Sequence, residues 1–562
     1  MKRRGIKQIF VLITICLVIS SCTPKTSGDT SLIVAEVEPS AILEVIPTEA
    51  PVPAPTPSPT PVVVYASDEE RIWAESEQVM LNVVAGSMGK RPKNLTEADL
   101  LSVTEISIHW YDFRACLGED AKEEFTLTVL EALPNLDQIV IEDGLIYDLS
   151  YIKHFPELKV LQLTGETLDS HDLPAIQTLK KLEVLKLYIC DESDLALLSG
   201  MTQLKELDLR YSDISDISQL SRLRNLEKLF LNGAKIEDVT PLKNLTNLEI
   251  LNLEDNQITD VTPLKNLTNL KVLNLEDNLI TDVTPLKGLA NLEELYLYGN
   301  QELESIKAVL YFPNLRKFSV NSWIPDSLLD LGHISDLVSL KTDEPYKEGF
   351  INLCKLNSLE TLIFADVNLD TDYSLLTGLK NLKRFEIYDE GFSRSEDLGE
   401  LSQITEMVLF GDIKNLEGIS TMVNLVTLDL HACQLTSIEG IENLQNLIEL
   451  DISFDGLCDD FTPVSQLTNL RVLDIGDDLL DDIGFLGSLK KLEVLHLYYN
   501  DIDDLSPISN LTNLVELDIS NNNITDLTPL LSLPNLKILD ISGNPIADYS
   551  VLDQMDLDKL HK

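Results

Sequence analysis

The chain has 562 residues, of which 93 are acidic and 43 are basic, so its formal net charge is −50. A surface this negative repels phosphate groups, which excludes nucleic acid and anionic lipid as ligands of its bulk surface. The same charge is typical of a well-solvated surface that resists aggregation. Length alone predicts several domains, unless an internal repeat lets one core grow along the chain.

Residues 1–21 are predicted to be a signal peptide. Four basic residues lie within the first seven, and residues 9–20 form an apolar run that is shorter than the roughly 20 residues needed to cross a bilayer. The run ends at Ile19-Ser20-Ser21-Cys22, which resembles a bacterial lipobox. The resemblance implies that Cys22 is lipidated through its thiolate. Stable anchoring at the extracytoplasmic face of the cell membrane would follow; the alternative is ordinary secretion.

Residues 22–66 are predicted to form the lipidated cysteine and a proline-rich stalk. The run PVPAPTPSPTP at 51–61 has proline at every second position, which favours a polyproline-II conformation. Such a segment extends roughly 34 Å at about 3.1 Å per residue. We therefore expect a spacer that holds the following chain away from a membrane.

Residues 67–102 are predicted to be helical. Ser67 and Glu70 have the spacing of a helix capping box, and Thr96 and Asp99 repeat that spacing before a second helix. The end of a repeat array exposes its core and needs a cover. We expect these helices to be that N-terminal cap.

A 22-residue period dominates the rest of the chain. The pattern L-x-x-L-x-L has 19 starts between Leu136 and Leu536, and thirteen of the 18 gaps between starts are 22 residues long. In the repeat from Leu248, the leucines are expected to point inward and Asn256 to bond backbone groups of neighbouring coils. Pro263 favours a turn or a short 3₁₀ helix on the return side. One such coil cannot bury its apolar face alone, so the period predicts a stacked solenoid.

The frame L-x-x-L-x-L-x-x-N-x-I-x-D-[VIL]-x-P-L resembles the leucine-rich repeat family, specifically the 22-residue repeats of bacterial internalins. The resemblance implies an α/β solenoid of about 19–20 coils with a parallel concave sheet. It also implies protein–protein interaction. We expect the repeat domain to span 103–550, with 551–562 as a tail. Charge replaces the expected Leu and Asn at 337–345, which predicts an irregular coil or a distortion near the middle of the array.

The sequence contains no motif for catalysis or for a cofactor. It lacks C-x-x-C, H-E-x-x-H, G-x-S-x-G, a P-loop and G-x-G-x-x-G. We therefore predict a non-enzymatic protein without a cofactor or a metal site of recognised type. Cys190 and Cys433 fall where other repeats place Asn, and both are expected to be buried at that position.

Two columns of side chains are expected to project from the sheet. Alternate strand residues point to opposite faces, and successive strands lie about 4.8 Å apart. The first column takes the residue four after each repeat start, such as Asn252, and the second column takes the residue six after it, such as Glu254. The period thereby serves as a map of the displayed surface.

The first column becomes acidic in the last six regular repeats, and we name this part the acidic row. Neighbouring carboxylates about 4.8 Å apart repel one another. Three interpretations stay open: a groove for a cationic partner (a basic protein segment or an amino-sugar polymer), a calcium site that bridges carboxylates, and simple duplication of an L-D-I-S frame. The acidic row comprises Asp429, Asp451, Asp474, His496, Asp518 and Asp540.

Aromatic side chains mark the first half of the same columns. Tyr188, Phe230, Tyr296 and Tyr298 are expected to display rings on an otherwise polar sheet, and exposed rings commonly anchor protein or sugar ligands. Packing against neighbouring Arg or Lys side chains is the alternative.

Three classes of function follow from these patterns. The first is a cell-surface module that binds a protein or a glycan through the concave face. The second is a spacer or envelope-assembly component without a specific ligand. The third is a host-surface adhesin of internalin type.

Overall fold

The computed structural model describes residues 68–561 except 89, 110–123, 143–144, 148, 165–172, 189–191, 322–333, 335, 344, 346, 368–371, 455 and 457. The predicted signal peptide, Cys22, the proline-rich stalk and Ser67 lie outside the described residues. So does Cys190.

One open sheet of 21 parallel strands runs along the described chain, with one strand for each coil. Each strand pairs with the strand of the next coil, and a second sheet consists of only two strands, β2 and β4. The strands are β1 Glu105–His109, β2 Glu124–Thr126, β3 Gln138–Glu142, β4 Leu145–Tyr147, β5 Val160–Thr164, β6 Val184–Leu187, β7 Glu206–Asp208, β8 Lys228–Phe230, β9 Ile250–Asn252, β10 Val272–Asn274, β11 Glu294–Tyr296, β12 Lys317–Ser319, β13 Ser339–Thr342, β14 Thr361–Phe364, β15 Arg384–Tyr388, β16 Glu406–Phe410, β17 Thr427–Asp429, β18 Glu449–Asp451, β19 Val472–Asp474, β20 Val494–His496, β21 Glu516–Asp518, β22 Ile538–Asp540 and β23 Lys559–His561.

The pairing places equal repeat positions side by side. Leu251 is the partner of Leu273, and Leu273 is the partner of Leu295. These leucines and their equivalents are fully buried and form one continuous apolar core. The same register carries the residues of the first column from coil to coil, although several residues of both columns, such as Asp208 and Glu276, are buried.

The buried asparagines join neighbouring coils as predicted. The Asn256 side chain accepts a hydrogen bond from the Ile236 backbone N–H at 2.9 Å and donates to the Leu231 carbonyl at 3.0 Å. Both partners belong to the preceding coil. Cys433 occupies the equivalent position, is buried, and donates from Sγ to the Leu409 carbonyl at 3.0 Å, which confirms its predicted place.

Short 3₁₀ helices form most of the return side, opposite the sheet. Their start is fixed by a carboxylate: Asp260 Oδ1 accepts from the Thr262 N–H at 2.8 Å, just before Pro263. This confirms the predicted 3₁₀ turn. The 3₁₀ helices are Pro92–Asn94, Leu127–Ala132, Leu149–His154, Ser218–Arg222, Thr240–Asn244, Thr262–Asn266, Thr284–Gly288, Lys307–Tyr311, Tyr373–Gly378, Ser395–Leu398, Ile419–Thr421, Ile441–Asn443, Thr462–Gln466, Gly484–Ser488, Ser506–Asn510, Thr528–Ser532 and Leu552–Gln554.

Two α-helices precede the first strand. Val79 and Met80 of the longer one are buried within the same apolar core as the repeats. Thr96 and Asp99 form the predicted capping box of the shorter one. That these helices act as the end cap stays a prediction. The α-helices are α1 Asp68–Ser87, α2 Glu97–Ser102, α3 Leu173–Ile176, α4 Glu192–Leu198 and α5 Lys347–Leu353.

The sheet reaches farther toward both chain ends than the 19 starts indicate. β1 pairs with β3, so a strand of the sheet precedes the first of these starts. At the other end β23 pairs with β22, so the sheet continues into the segment that was expected to be a tail. The pattern there is cut short: Leu560 occupies its strand position, but Lys562 stands where another apolar residue is expected.

The segment 337–345 keeps a regular strand, and the irregularity expected in this coil lies outside that strand. β13 pairs in register with both neighbours. Thr342 takes the place of a leucine and is fully buried. The difference lies on the return side, where the helix α5 replaces the 3₁₀ turn.

Among the described residues, no helix combines the length and the apolar character required to cross a membrane.

Candidate binding surface on the concave sheet

A short acceptor side chain in the first column caps the end of many strands. Asn252 Oδ1 accepts from the Glu254 N–H at 3.0 Å, and Asp518 Oδ1 accepts from the Ser520 N–H at 2.9 Å. Asp and Asn both serve this local role, which favours them at such turns. Capping of the strand end therefore explains in part why Asp recurs in the acidic row. Asn can accept the same hydrogen bond without a charge, so capping alone does not require Asp.

The predicted aromatic residues Tyr188 and Phe230 are brought together by an arginine. The Arg210 guanidinium lies 5.6 Å from the Tyr188 ring centroid and 5.5 Å from that of Phe230. Its Nη2 donates to Asp208 Oδ2 at 2.6 Å, and Asp208 is fully buried. The cation between two rings is stabilised by both their faces and the carboxylate. These rings pack against arginine as well as facing the surface.

A group of charges lies in the next repeats, and we name it the carboxylate cluster: Glu254 and Glu276, which are buried, Lys341, which is half-buried, and Asp277, which is exposed. Lys341 Nζ lies 3.2 Å from Glu276 Oε2, and Asn274 donates to Glu254 at 2.9 Å. Burial, then the charge of Glu276, raises the pKa of Glu254 to about 7. The same two causes raise the pKa of Asp277 to about 6.

Tyr296 and Tyr298 belong to this region and not to the Arg210 group. The Tyr298 hydroxyl donates to Asp343 Oδ1 at 2.7 Å, and Lys341 Nζ lies 4.8 Å from its ring centroid. Burial, followed by the charge of Asp343, raises the pKa of Tyr298. The Tyr296 hydroxyl donates to Glu294 at 2.7 Å. Both rings are half-buried and held by carboxylates.

Sequence reasoning missed the carboxylate cluster. Glu254, Glu276 and Lys341 were visible in the columns, but Lys341 and Glu276 are 65 residues apart. The available signal was Lys341 in the first column, three coils beyond Glu276 and four beyond Glu254 of the second column. Lys341 also lies in the segment that was expected to be irregular.

A comparable group sits in the middle of the sheet. Arg384 pairs with both Glu386 and Glu406, and its Nη1 lies 3.0 Å from Glu406 Oε2. The Tyr388 hydroxyl donates to Glu386 at 2.9 Å. Glu386 is fully buried, so this cation neutralises a carboxylate that would otherwise be costly to desolvate.

The acidic row contains its own cation. His496 Nδ1 lies 3.0 Å from Asp474 Oδ2, and Nε2 lies 3.4 Å from Glu516 Oε1. Burial lowers the pKa of His496, but the hydrogen bonds and charges of these two carboxylates outweigh it and raise the pKa to about 9. His496 is therefore protonated at neutral pH and offsets part of the repulsion in the row.

At the other end of the row, three potential metal ligands converge. One ligand atom each from Asp429, His431 and Asp451 lies within 4.8 Å of the others. His431 Nδ1 and Asp429 Oδ1 are 2.7 Å apart. Burial, then the charges of Asp429 and Asp474, raises the pKa of Asp451 to about 6. An imidazole nitrogen in the set differs from the all-oxygen ligands that calcium prefers.

The comparisons with known proteins agree with the repeat frame. A family model described as leucine-rich repeats (2 copies) matches residues 202–244, 246–288, 490–530 and 512–554. The fold is a leucine-rich repeat solenoid. No curated protein matches the chain.

Solved leucine-rich repeat structures resemble the chain, with low TM-scores. An internalin from Listeria monocytogenes is 22% identical, with 67% of this chain and 89% of that chain covered and a TM-score of 0.30. Internalin C2 from the same organism is 27% identical, with 44% and 95% covered and a TM-score of 0.30. A leucine-rich repeat protein from Leptospira interrogans is 20% identical, with 81% and 100% covered and a TM-score of 0.32.

Replacing Lys341 should destabilise the array. Lys341→Met leaves Glu276 and Glu254 buried without their cation, and we expect a loss of about 3 kcal/mol in the free energy of unfolding. Lys235→Met is the matched control, since Lys235 pairs with Asp213 at the exposed surface, where solvent screens the pair and its loss should leave stability nearly unchanged. Chemical denaturation measures both. Adding Glu276→Gln to Lys341→Met should restore stability; no recovery would contradict the assigned pairing.

Stability should decrease as the pH rises from about 5 to about 9. The pKa of His496 is raised from 6.5 to about 9. Its contribution to the free energy of unfolding is therefore fully present below pH 6.5 and is lost as the pH rises through 9. The pKa of Glu254 is raised from 4.5 to about 7, so folding favours its protonated form. The stability that this group contributes is lost as the pH rises from 4.5 through 7. Both groups bind protons more tightly in the folded protein than in the unfolded chain. Each therefore lowers the free energy of unfolding as the pH rises.

Melting temperatures at constant ionic strength test this dependence. His496→Gln should flatten the upper part of the pH profile, and Glu254→Gln the lower part. A melting temperature that rises with pH across the interval would refute the assignment.

Proposed function

We propose that the protein is a binding module that recognises a protein ligand through the concave face of its sheet. The observation that carries this proposal is the continuous in-register sheet, whose two outward columns present charged and aromatic side chains in distinct groups. A parallel sheet of this kind offers one extended surface with a fixed spacing. We assign it recognition and not catalysis.

The buried charges support recognition over the spacer alternative. A spacer needs only the apolar core and the asparagine bonds between coils. Charged groups desolvated on the face, such as Glu276 and Glu386, rarely add net stability compared with apolar residues. Each of these carboxylates is paired with a neighbouring cation. A surface with such fixed charges is suited to specific contacts with a ligand.

We further propose attachment to the extracytoplasmic face of a cell membrane through Cys22. The support is the sequence pattern of the first 22 residues. Cys22→Ser should abolish acylation and release the protein from the membrane fraction, whereas Cys16→Ser within the apolar run should leave both unchanged. Mass spectrometry of the mature N-terminal peptide and fractionation provide the measurement. A wild-type N-terminus without acyl chains would rule the anchor out.

Binding can be tested with the purified protein immobilised against an envelope extract. A variant with Asp451→Asn, Asp474→Asn and Asp518→Asn keeps an acceptor for the strand-end N–H groups, as Asn252 does, but removes three charges. Arg210→Gln removes the cation that lies between the rings of Tyr188 and Phe230. We expect at least one of the two variants to lose a retained protein by about tenfold or more, as is common at binding hot spots.

The matched control carries the same chemical change on the return side. Asp238→Asn, Asp260→Asn and Asp526→Asn remove three charges from side chains that cap 3₁₀ helices. This control should retain the partner. If neither concave variant alters the retained proteins, the spacer interpretation is correct. Calcium that raises the melting temperature of the wild type, but not of the acidic-row variant, would instead support the calcium interpretation.

A further inference from the structure

One backbone position at the edge of the sheet adopts a left-handed conformation in many repeats. It lies seven residues after the repeat start, where the chain turns out of the strand. Glycine, Asn and Asp tolerate positive φ better than other residues. Most occupants follow that rule: Gly233, Asp255, Asp277, Gly299, Asp477, Asn521 and Gly543.

Bulky aromatic side chains break this rule at Tyr211 in the first half of the array and at two positions in its last third. Phe454 and Tyr499 occupy the position with φ of 63° and 52°, and Leu479, in the repeat between them, has a φ of 58° two residues beyond it. Large side chains are uncommon there because of steric strain. Their exposures are 50%, 59% and 67%, respectively, so they do not contribute to the core either.

An additional ring lies between Phe454 and Tyr499, and Leu479 belongs to the coil between them. The Tyr498 ring centroid lies 5.9 Å from that of Phe454 and 6.4 Å from that of Tyr499. The ring passes over Gly476, where a Cβ atom would lie 2.3 Å from it. Glycine therefore makes room for a ring that bridges three repeats. We name Phe454, Leu479, Tyr498 and Tyr499 the edge patch.

The edge patch borders the acidic row. Phe454 follows Asp451 by three residues on the same coil, and Tyr498 follows His496 by two, with their ring centroids 6.4 Å apart. Asp474 belongs to the coil between them. Exposed apolar groups beside carboxylates complement a ligand that carries apolar and positive groups together. A second copy of this chain would bring two acidic rows together, which charge repulsion disfavours.

We propose that the edge patch and the acidic row together bind an extended basic segment of a partner protein. Apolar side chains of the segment pack on Phe454, Leu479 and Tyr499, while its Lys or Arg side chains pair with the row. Five steps from Asp429 to Asp540 span about 24 Å, the length of about seven extended residues. This inference rests on the proposed function and specifies the chemistry of its ligand.

The probe is a fluorescent ten-residue peptide in which Lys alternates with Leu, measured by anisotropy at about 0.15 M salt. Two control peptides replace Leu by Ser or Lys by Glu. We expect saturable binding of the first peptide, binding weaker by about tenfold or more with Ser, and none with Glu.

The decisive protein variant is Phe454→Asn with Tyr499→Asn. Asn suits the left-handed position, as Asn521 shows, so the melting temperature should stay unchanged or rise. Peptide binding should nevertheless fall by about tenfold or more. Tyr211→Asn is the matched control, because Tyr211 is also an exposed aromatic residue with positive φ at this position but lies far along the array. It should leave binding unchanged.

Several outcomes would overturn the inference. A lower melting temperature with unchanged peptide binding would make the edge rings structural. If the Ser peptide binds as tightly as the Leu peptide, the site recognises only the positive charges of its ligand. Concentration-dependent dimerisation lost in the double variant would identify a second copy as the occupant, and tighter binding of chitosan oligomers would identify a glycan.

The broader proposal has a separate readout. If no peptide binds but Arg210→Gln still abolishes capture of an envelope protein, only the inference about the edge patch fails. If the envelope proteins retained are also unaffected by every concave variant, both proposals fail.

Discussion

Stacking of identical repeat positions is the constraint on which the rest of the structure depends. A single coil has an apolar interior too small to stand alone, so each leucine is covered by the leucines of the coils before and after it. Asn256 and its equivalents add directional bonds across the same junction. Because the register admits no slip without exposing the core, every outward position is fixed as firmly as the buried ones.

That register has a consequence for charge. A repeat that places a carboxylate in one column places the next carboxylate beside it, and repulsion accumulates along the array. Cations offset this repulsion at intervals: Arg210, Lys341 and His496 stand in the columns, Arg384 lies two residues before Glu386, and each contacts at least one carboxylate. Burial, and after it the charge of a neighbouring carboxylate, raises the pKa values of Glu254 and Asp451. The surface is thus divided into electrostatic groups, although the backbone beneath it is nearly uniform.

The period predicted what depends on neighbouring coils alone: the leucine core, the asparagine bonds and the 3₁₀ turns. It could not predict that Lys341 reaches Glu276, because this contact crosses several coils and depends on side-chain length and sheet curvature. It placed the expected distortion at 337–345, but Thr342 is small enough to replace a leucine without displacing the strand. The strand at Leu560 lacks the full frame, because Lys562 stands where the third apolar residue is expected. The columns of candidate residues follow from the period, whereas their grouping depends on how the chain folds.

The edge patch separates two demands that coincide elsewhere in the array. At most left-handed positions glycine, Asn or Asp satisfies the backbone, and such residues offer a partner little apolar surface. Phe454 and Tyr499 do the opposite: they carry the backbone strain of a bulky residue and expose their rings to solvent. Neither core packing nor turn geometry favours them. A residue that is unfavourable for the isolated fold is best explained by a contact that the isolated fold does not contain, and the adjoining carboxylates give that contact its charge.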